Sequence, residues 1–158
     1  AVEAGLIADA VVAQTKSART AIWEIRDSVS VALQFQPLFL FDVSLAIREM
    51  QDYVAEVHSG LQQQWRHHKC FIFGHLGDGN LHFMISAGRD DEKTRKKVEE
   101  IVYKPLVARQ GSVSAEHGIG LEKKAYLPWC RSPAEIALMH SLKKLLDPKG
   151  ILNPGRIF

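Results

Sequence analysis

The chain has 158 residues, of which 46% are hydrophobic and 24% charged, enough apolar content to bury a core within one domain. A net charge of +2 is too slight to drive binding to nucleic acid or an anionic membrane, and no run approaches the ~18 apolar residues of a membrane span. Its two cysteines, Cys70 and Cys130, lack a C-x-x-C spacing, which argues against a disulfide scaffold or a thiolate zinc site and fits a reducing compartment.

No secretory leader is visible at the start, and the chain opens on Ala in helix-like sequence, so a piece of something longer is expected. Residues 3–14 (EAGLIADAVVAQ) and 18–34 (ARTAIWEIRDSVSVALQ) are Ala-rich with helical spacing. Ile22, Trp23, Ile25, Val29 and Leu33 form one face of the second predicted helix. Pro37 breaks the pattern, and LFLFDVSL (38–45) reads as a strand. Ser44 is placed to cap a following helix whose Ile47, Met50, Val54, Val57 and Leu61 share one side. KCFIFGH (69–75) and NLHFMIS (80–86) read as strands joined through Gly77-Asp78-Gly79-Asn80, and Asp-Gly is a strong hairpin signal. A charged helix is predicted from Asp91 to Arg109, with Val98, Ile101, Val102, Tyr103 and Leu106 on its apolar side. Its Lys93, Arg95, Lys96 and Lys97 interleave with acids and read as a solvated face. GSVSAEHGIG (111–120) is a short strand entering a glycine-rich loop. The last helix, 133–146, starts after Ser132 as cap with Pro133 in its first turn, and the rest is an irregular tail.

From residue 38 the order is strand, helix, strand, strand, helix, strand. That is the ferredoxin-like βαββαβ arrangement, an α+β fold with an antiparallel sheet, helices on one face and extra flanking helices at both ends. With no repeat or linker visible, residues 1–158 are expected to form one domain.

The chemistry concentrates in GHLGDGNLH (74–82) and SAEHG (114–118). With Asp78 and Gly79 as the two central turn residues, His75 and His82 lie directly opposite each other on one face of the hairpin, close enough to share an ion. The plain alternative is two ordinary hairpin histidines. A metal needs a third ligand, and Glu116 is the best candidate. Strand alternation sends Glu116 and His117 to opposite faces, whereas Gly118 and Gly120 suggest a bend that brings both to one cavity. Two imidazoles and a carboxylate suit zinc, manganese or iron. Asp78 reads as a turn former. Asn80 is a candidate substrate-contacting residue, with a hydrogen bond inside its own turn as the alternative.

GHLGDGNLHFMI, GSVSAEHGIGLEKK and LLDPKGILNPGRIF together resemble the C-terminal domain of FAD-linked 2-hydroxy-acid dehydrogenases, the group with D-lactate dehydrogenase, D-2-hydroxyglutarate dehydrogenase and the glycolate oxidase flavin subunit, within the vanillyl-alcohol oxidase superfamily. AIWEIRDSVSVAL and LFLFDVSL fit the opening of that domain, so the likeness covers almost the whole chain. The resemblance implies that His75, His82 and Glu116 ligate a divalent metal and that His117 contacts substrate as general base. It implies that Arg26 pairs with the substrate carboxylate, with the Ser30 hydroxyl assisting. FAD would be held by a separate N-terminal domain, without which this chain should be redox-silent. The implied partners are a small-molecule 2-hydroxy acid, that FAD domain and an electron acceptor of open identity. The compartment expected is the cytoplasm, peripheral to a membrane, or the mitochondrion in a eukaryote.

The chain departs from the D-2-hydroxyglutarate dehydrogenase pattern at two positions. Met84 stands where that pattern has Asn, and Leu40 stands where it has Lys. A second substrate carboxylate would lose partners there, so an acid with an apolar or shorter tail is expected. Two other readings stay open from the residues: a stand-alone metal-dependent hydrolase using His75, His82 and Glu116, and an interaction module with a vestigial site.

Overall fold

The structure, a computed structural model, describes residues 3–157. The chain divides into two compact units, Ala1–Gln34 and Phe35–Phe158.

In the first unit, helix α1 (Lys16–Asp27) begins where the Thr15 hydroxyl accepts the Ala18 amide at 3.1 Å. It gives way to a 3₁₀ segment at Ser28–Phe35, so the helix expected over 18–34 is two pieces. The break falls where the Ser28 hydroxyl bonds back to the Glu24 carbonyl, and the β-branched Val29 and Val31 follow. The helix expected over 3–14 is absent. Those residues are exposed apart from half-buried Ala13, and an isolated short helix with no buried face is marginal in water.

The second unit runs β1 (Phe39–Ser44), α2 (Met50–Gln64), β2 (Lys69–His75), β3 (Asn80–Ser86), α3 (Glu92–Ala108), α4 (Leu127–Cys130) and α5 (Pro133–Leu146). The sheet is antiparallel in the order β1-β3-β2, and the fold is α+β. On the far side of β1, where the expected last strand would lie, the chain makes a single bridge between Ser44 and Ser112, with N···O distances of 3.1 and 2.7 Å. The strand goes no further because the amides of Ala115, Glu116 and His117 are drawn to the side chain of Asp42 instead of to the β1 backbone.

Period-2 alternation divides the sheet into two faces. Phe39, Phe41 and Val43 of β1 and Phe83 and Ile85 of β3 share one buried core with Tyr53, Val57 and Leu61 of α2 and Val98, Val102 and Leu106 of α3. Each such side chain stabilises the fold by about 1.5–3 kcal/mol through burial. The alternate residues form three cross-strand rows on the opposite face: Leu40–Met84–Phe71, Asp42–His82–Phe73 and Ser44–Asn80–His75.

The helices follow local chemistry. Asp91 caps α3 by accepting the Thr94 amide at 2.8 Å, and Ser132 with Glu135 forms a reciprocal capping box at α5. Ser44 does not cap α2. It ends β1, and a 3₁₀ turn at Ile47–Glu49 leads into the helix. Cys70 is half-buried and packs against the core as a small hydrophobe, its thiol pushed up to about 11 by desolvation.

The hairpin between β2 and β3 differs from the two-residue turn expected. Leu76–Asp78 forms a 3₁₀ turn closed by Gly79 at φ +76°, a conformation glycine adopts without strain. A side chain at Gly79 would also be driven into the Leu45 carbonyl oxygen. The register therefore pairs His75 with Asn80 and His82 with Phe73. The two histidines are diagonal neighbours instead of directly opposed. A connection of four residues still has even parity, so they remain on one face.

Candidate metal centre

The site lies on the sheet face opposite α2 and α3. His82, in the middle of β3, has only 12% of its side chain exposed, and its ring is 5.6 Å from His75 and 5.2 Å from Phe73. Glu116 arrives from the loop after the Ser112 bridge. Its Oε1 is 3.3 Å from His75 Nε2 and 4.0 Å from His82 Nε2. The candidate ligand atoms of His75, His82 and Glu116 all lie within 4.8 Å of one another. Donors about 2.0–2.1 Å from a tetrahedral zinc ion sit roughly 3.3 Å apart, so the His75–Glu116 spacing fits the ion and the His82–Glu116 spacing is slightly open.

Of the two readings for Glu116 and His117, divergence along a strand or a bend toward one cavity, the chain follows the bend, a turn built around Asp42. The amides of Ala115, Glu116 and His117 donate to Asp42 Oδ2 at 3.0, 2.8 and 2.8 Å, and the Ser114 hydroxyl adds a fourth contact at 3.2 Å. Gly118, at φ +77°, continues the turn. The His117 ring consequently stacks near His82, with centroids 5.8 Å apart and planes 18° off parallel, and 59% of its side chain is open to solvent.

Asp42 is fully buried. Burial alone would raise its carboxyl pKa, but the amides of His117, Glu116 and Ala115, and then the Lys123 ammonium, hold it below the usual carboxylate value. Lys123 lies 3.7 Å from Asp42 Oδ2 and 3.1 Å from the Ser114 hydroxyl. It is buried, and desolvation pulls its pKa down against the pull of Asp42. It is the counter-charge of Asp42.

A second trio, Asp42, His82 and His117, also offers ligand atoms within 4.8 Å of one another. Its carboxylate oxygen Oδ2 is already committed to three amides and faces a lysine, so it is the poorer cation site. Buried Asp42 Oδ1, in contrast, has no hydrogen-bond partner and faces His82 Nδ1 at 3.6 Å. A protonated Nδ1 there leaves Nε2 as the donor. The residues present therefore fit a divalent ion held by His75, His82 and Glu116.

The other expected residues are placed as follows. Asn80 is buried; its side-chain amide donates to Glu116 Oε1 at 2.6 Å, and its backbone N–H reaches Asp78 Oδ1 at 3.3 Å. Arg26 lies in the last turn of α1, with Nη1 3.1 Å from Asp27 Oδ1, and Ser30 lies in the following 3₁₀ segment; both belong to the first unit. Asp42, Ser114 and Lys123 were not singled out in the sequence as a group. Asp42 did carry a signal, as the lone acid in an otherwise apolar strand.

Comparison with known proteins gives a consistent likeness. Residues 1–157 match the model of the FAD linked oxidases, C-terminal domain. The chain is 40% identical over 156 residues to the mitochondrial D-2-hydroxyglutarate dehydrogenase of Arabidopsis thaliana, covering 98% of this chain and 27% of the relative. It is 35% identical over 162 residues to the D-2-hydroxyglutarate dehydrogenase of Stutzerimonas stutzeri (strain A1501), covering 99% and 35%. It is 36% identical over 151 residues to the mitochondrial enzyme of that name from Rattus norvegicus, covering 95% and 28%. The chain thus spans about a quarter to a third of the length of these relatives. Among the described residues, no helix is long and apolar enough to cross a membrane.

Proposed function

The chain belongs to the FAD-linked oxidase C-terminal domain family, and from that premise we propose that it is the substrate- and metal-binding domain of an FAD-dependent dehydrogenase that oxidises a D-2-hydroxy acid to a 2-oxo acid. The observation that carries the reading is the meeting of His75, His82 and Glu116 beside His117 on the sheet face opposite α2 and α3.

The reaction removes a hydride from the α-carbon and a proton from the hydroxyl. A divalent ion held by His75, His82 and Glu116 would supply Lewis acidity at that hydroxyl, and FAD, held by a separate domain, would supply the hydride acceptor. The residues here supply the rest. A neutral His117 imidazole takes the hydroxyl proton, a task for which its exposed ring is open to substrate. By the family resemblance, Arg26 of the first unit, with Ser30 assisting, is the residue proposed to pair with the substrate carboxylate. Asn80 holds the carboxylate of Glu116 in place from below. Buried Phe83 and its neighbours on the core face keep β3, and with it His82, rigid.

The tail of the substrate meets the row Leu40–Met84–Phe71, next to the His82 row. This row is apolar, which favours a 2-hydroxy acid with an apolar or short tail over one with a second carboxylate. The relatives' names give D-2-hydroxyglutarate as their substrate, so a substrate panel for the FAD-containing protein must include it.

Calorimetric titration of zinc or manganese into the metal-free chain tests the site. Stoichiometric binding in the natural chain that is lost when His75 and His82 are both replaced by Ala supports the reading. Absence of binding, or binding unchanged in the double variant, rejects it.

A further inference from the structure

We propose that Asp42 is the positioning residue of this centre: one carboxylate oxygen holds the loop that carries Glu116 and His117, and the other keeps the His82 proton on Nδ1, so that Nε2 is presented as the ligand. The proposal rests on the reading of His75, His82 and Glu116 as a metal trio and assigns the residue that assembles it.

The two oxygens of Asp42 have separate tasks. Oδ2 receives the amides of Ala115, Glu116 and His117 and the Ser114 hydroxyl, four donors converging on one atom. Such a convergence can be satisfied only by an acceptor. Lys123, with its ammonium 3.7 Å away, balances the charge without occupying Oδ1. Oδ1 is buried and has no hydrogen-bond partner, which is costly for a carboxylate oxygen. His82 Nδ1 lies 3.6 Å away, just beyond hydrogen-bond length and directly across the β1–β3 ladder, so a small movement of the ring brings its N–H onto Oδ1. Asp42 and His82 are paired in register, so the sheet itself fixes this approach. A histidine ligand commonly gives its second ring N–H to such a carboxylate, which sets both its tautomer and its orientation.

The consequence for Asp42→Asn is unusually specific. The converging amides admit only an oxygen at the Oδ2 position, so the new NH₂ group must take the Oδ1 position. It then donates to His82 Nδ1 and drives the ring proton to Nε2. The ring stays where Phe73 and His117 hold it, and the loop stays on its oxygen, but the ligand atom is blocked.

Long-range ¹H–¹⁵N spectra of the metal-free, ¹⁵N-labelled chain, recorded where the rings are neutral, read the tautomer. The His82 signals are assigned by their loss in His82→Gln. The natural chain is expected to show Nδ1–H and Asp42→Asn to show Nε2–H, with the amide signals of residues 115–117 retained. Zinc affinity measured by calorimetry should fall about 10–100-fold in Asp42→Asn. An Nε2–H tautomer in the natural chain overturns the proposal, as does a folded Asp42→Asn variant with unchanged zinc affinity. If the variant fails to fold, the tautomer of the natural chain decides alone. If the natural chain takes up no zinc, the metal reading falls, and the tautomer still decides whether Asp42 controls His82.

Discussion

Leu40 of β1 and Met84 of β3 are directly paired across the antiparallel ladder, one row from Asp42 and His82. The family resemblance leads one to expect polar residues, Lys and Asn, at these two positions, and the register instead makes them a single apolar patch beside the candidate centre. A dicarboxylic substrate whose far carboxylate lost a charged partner here would forfeit about 1.5–3 kcal/mol. The FAD-containing protein should therefore show a higher kcat/KM for D-lactate and other monocarboxylic D-2-hydroxy acids than for D-2-hydroxyglutarate. Leu40→Lys combined with Met84→Asn should move the ratio toward D-2-hydroxyglutarate by about tenfold or more. A strong preference of the natural protein for D-2-hydroxyglutarate in the same assay panel would refute the specificity argument while leaving the chemistry intact.

Metal binding should be visible as stability. An ion that binds the folded chain alone contributes about 2.7 kcal/mol at a free concentration 100 times its Kd, which for a chain of this size raises the melting temperature by roughly 5–11 °C. The shift should vanish with a chelator and be absent in His75→Ala. An equal shift in His75→Ala would mean that zinc binds elsewhere.

Gly79 carries two constraints at once, a left-handed backbone and contact with the Leu45 carbonyl. Ala at this position pays about 1–2 kcal/mol for the left-handed conformation, and the steric conflict adds to it. Gly79→Ala should therefore lower the urea midpoint by the equivalent of about 2 kcal/mol or more. A change under about 0.5 kcal/mol, the range of ordinary surface substitutions, would show that the turn relaxes freely.

Asp147 ends α5 and ties down the tail. The Lys143 ammonium bonds to its carboxylate, as do the amides of Leu152 and Ile151 at 2.9 and 3.1 Å, and together they lower its pKa from the ordinary Asp value. A folded-state pKa below the unfolded one gives stability that is complete above the unfolded value, about 3.9, and is lost as pH falls through the folded value. The difference in urea midpoint between the natural chain and Asp147→Asn should be constant near neutrality and shrink below about pH 4. An equal difference at pH 7 and pH 3 would contradict the assignment of the stabilisation to the ionised carboxylate.

Much of this architecture could be read from local pattern. The α3 helix was legible because a capping Asp91 precedes a 3.6-residue apolar repeat, and α5 because Ser132, Pro133 and Glu135 spell its start. The 3–14 segment misled because Ala-rich composition favours a helix only weakly when no face is buried. The hairpin was half legible. Even parity of the loop places His75 and His82 on one face, but the register depends on the turn type, which Gly79 and the Leu45 carbonyl settle between them.

The sequence by itself determined the residue types of the candidate centre, the α+β order of elements and the family, because these reside in short motifs and local periodicity. Only the tertiary structure decided how the centre is assembled. Asp42 lies more than 70 positions from the amides it gathers, so no local spacing could reveal the contact. The same buried carboxylate stops the fourth strand at a single bridge, turns Glu116 and His117 to one side and recruits Lys123 out of solvent. A buried charge must be answered by donors from wherever the fold can bring them, and that is a property of the packed chain.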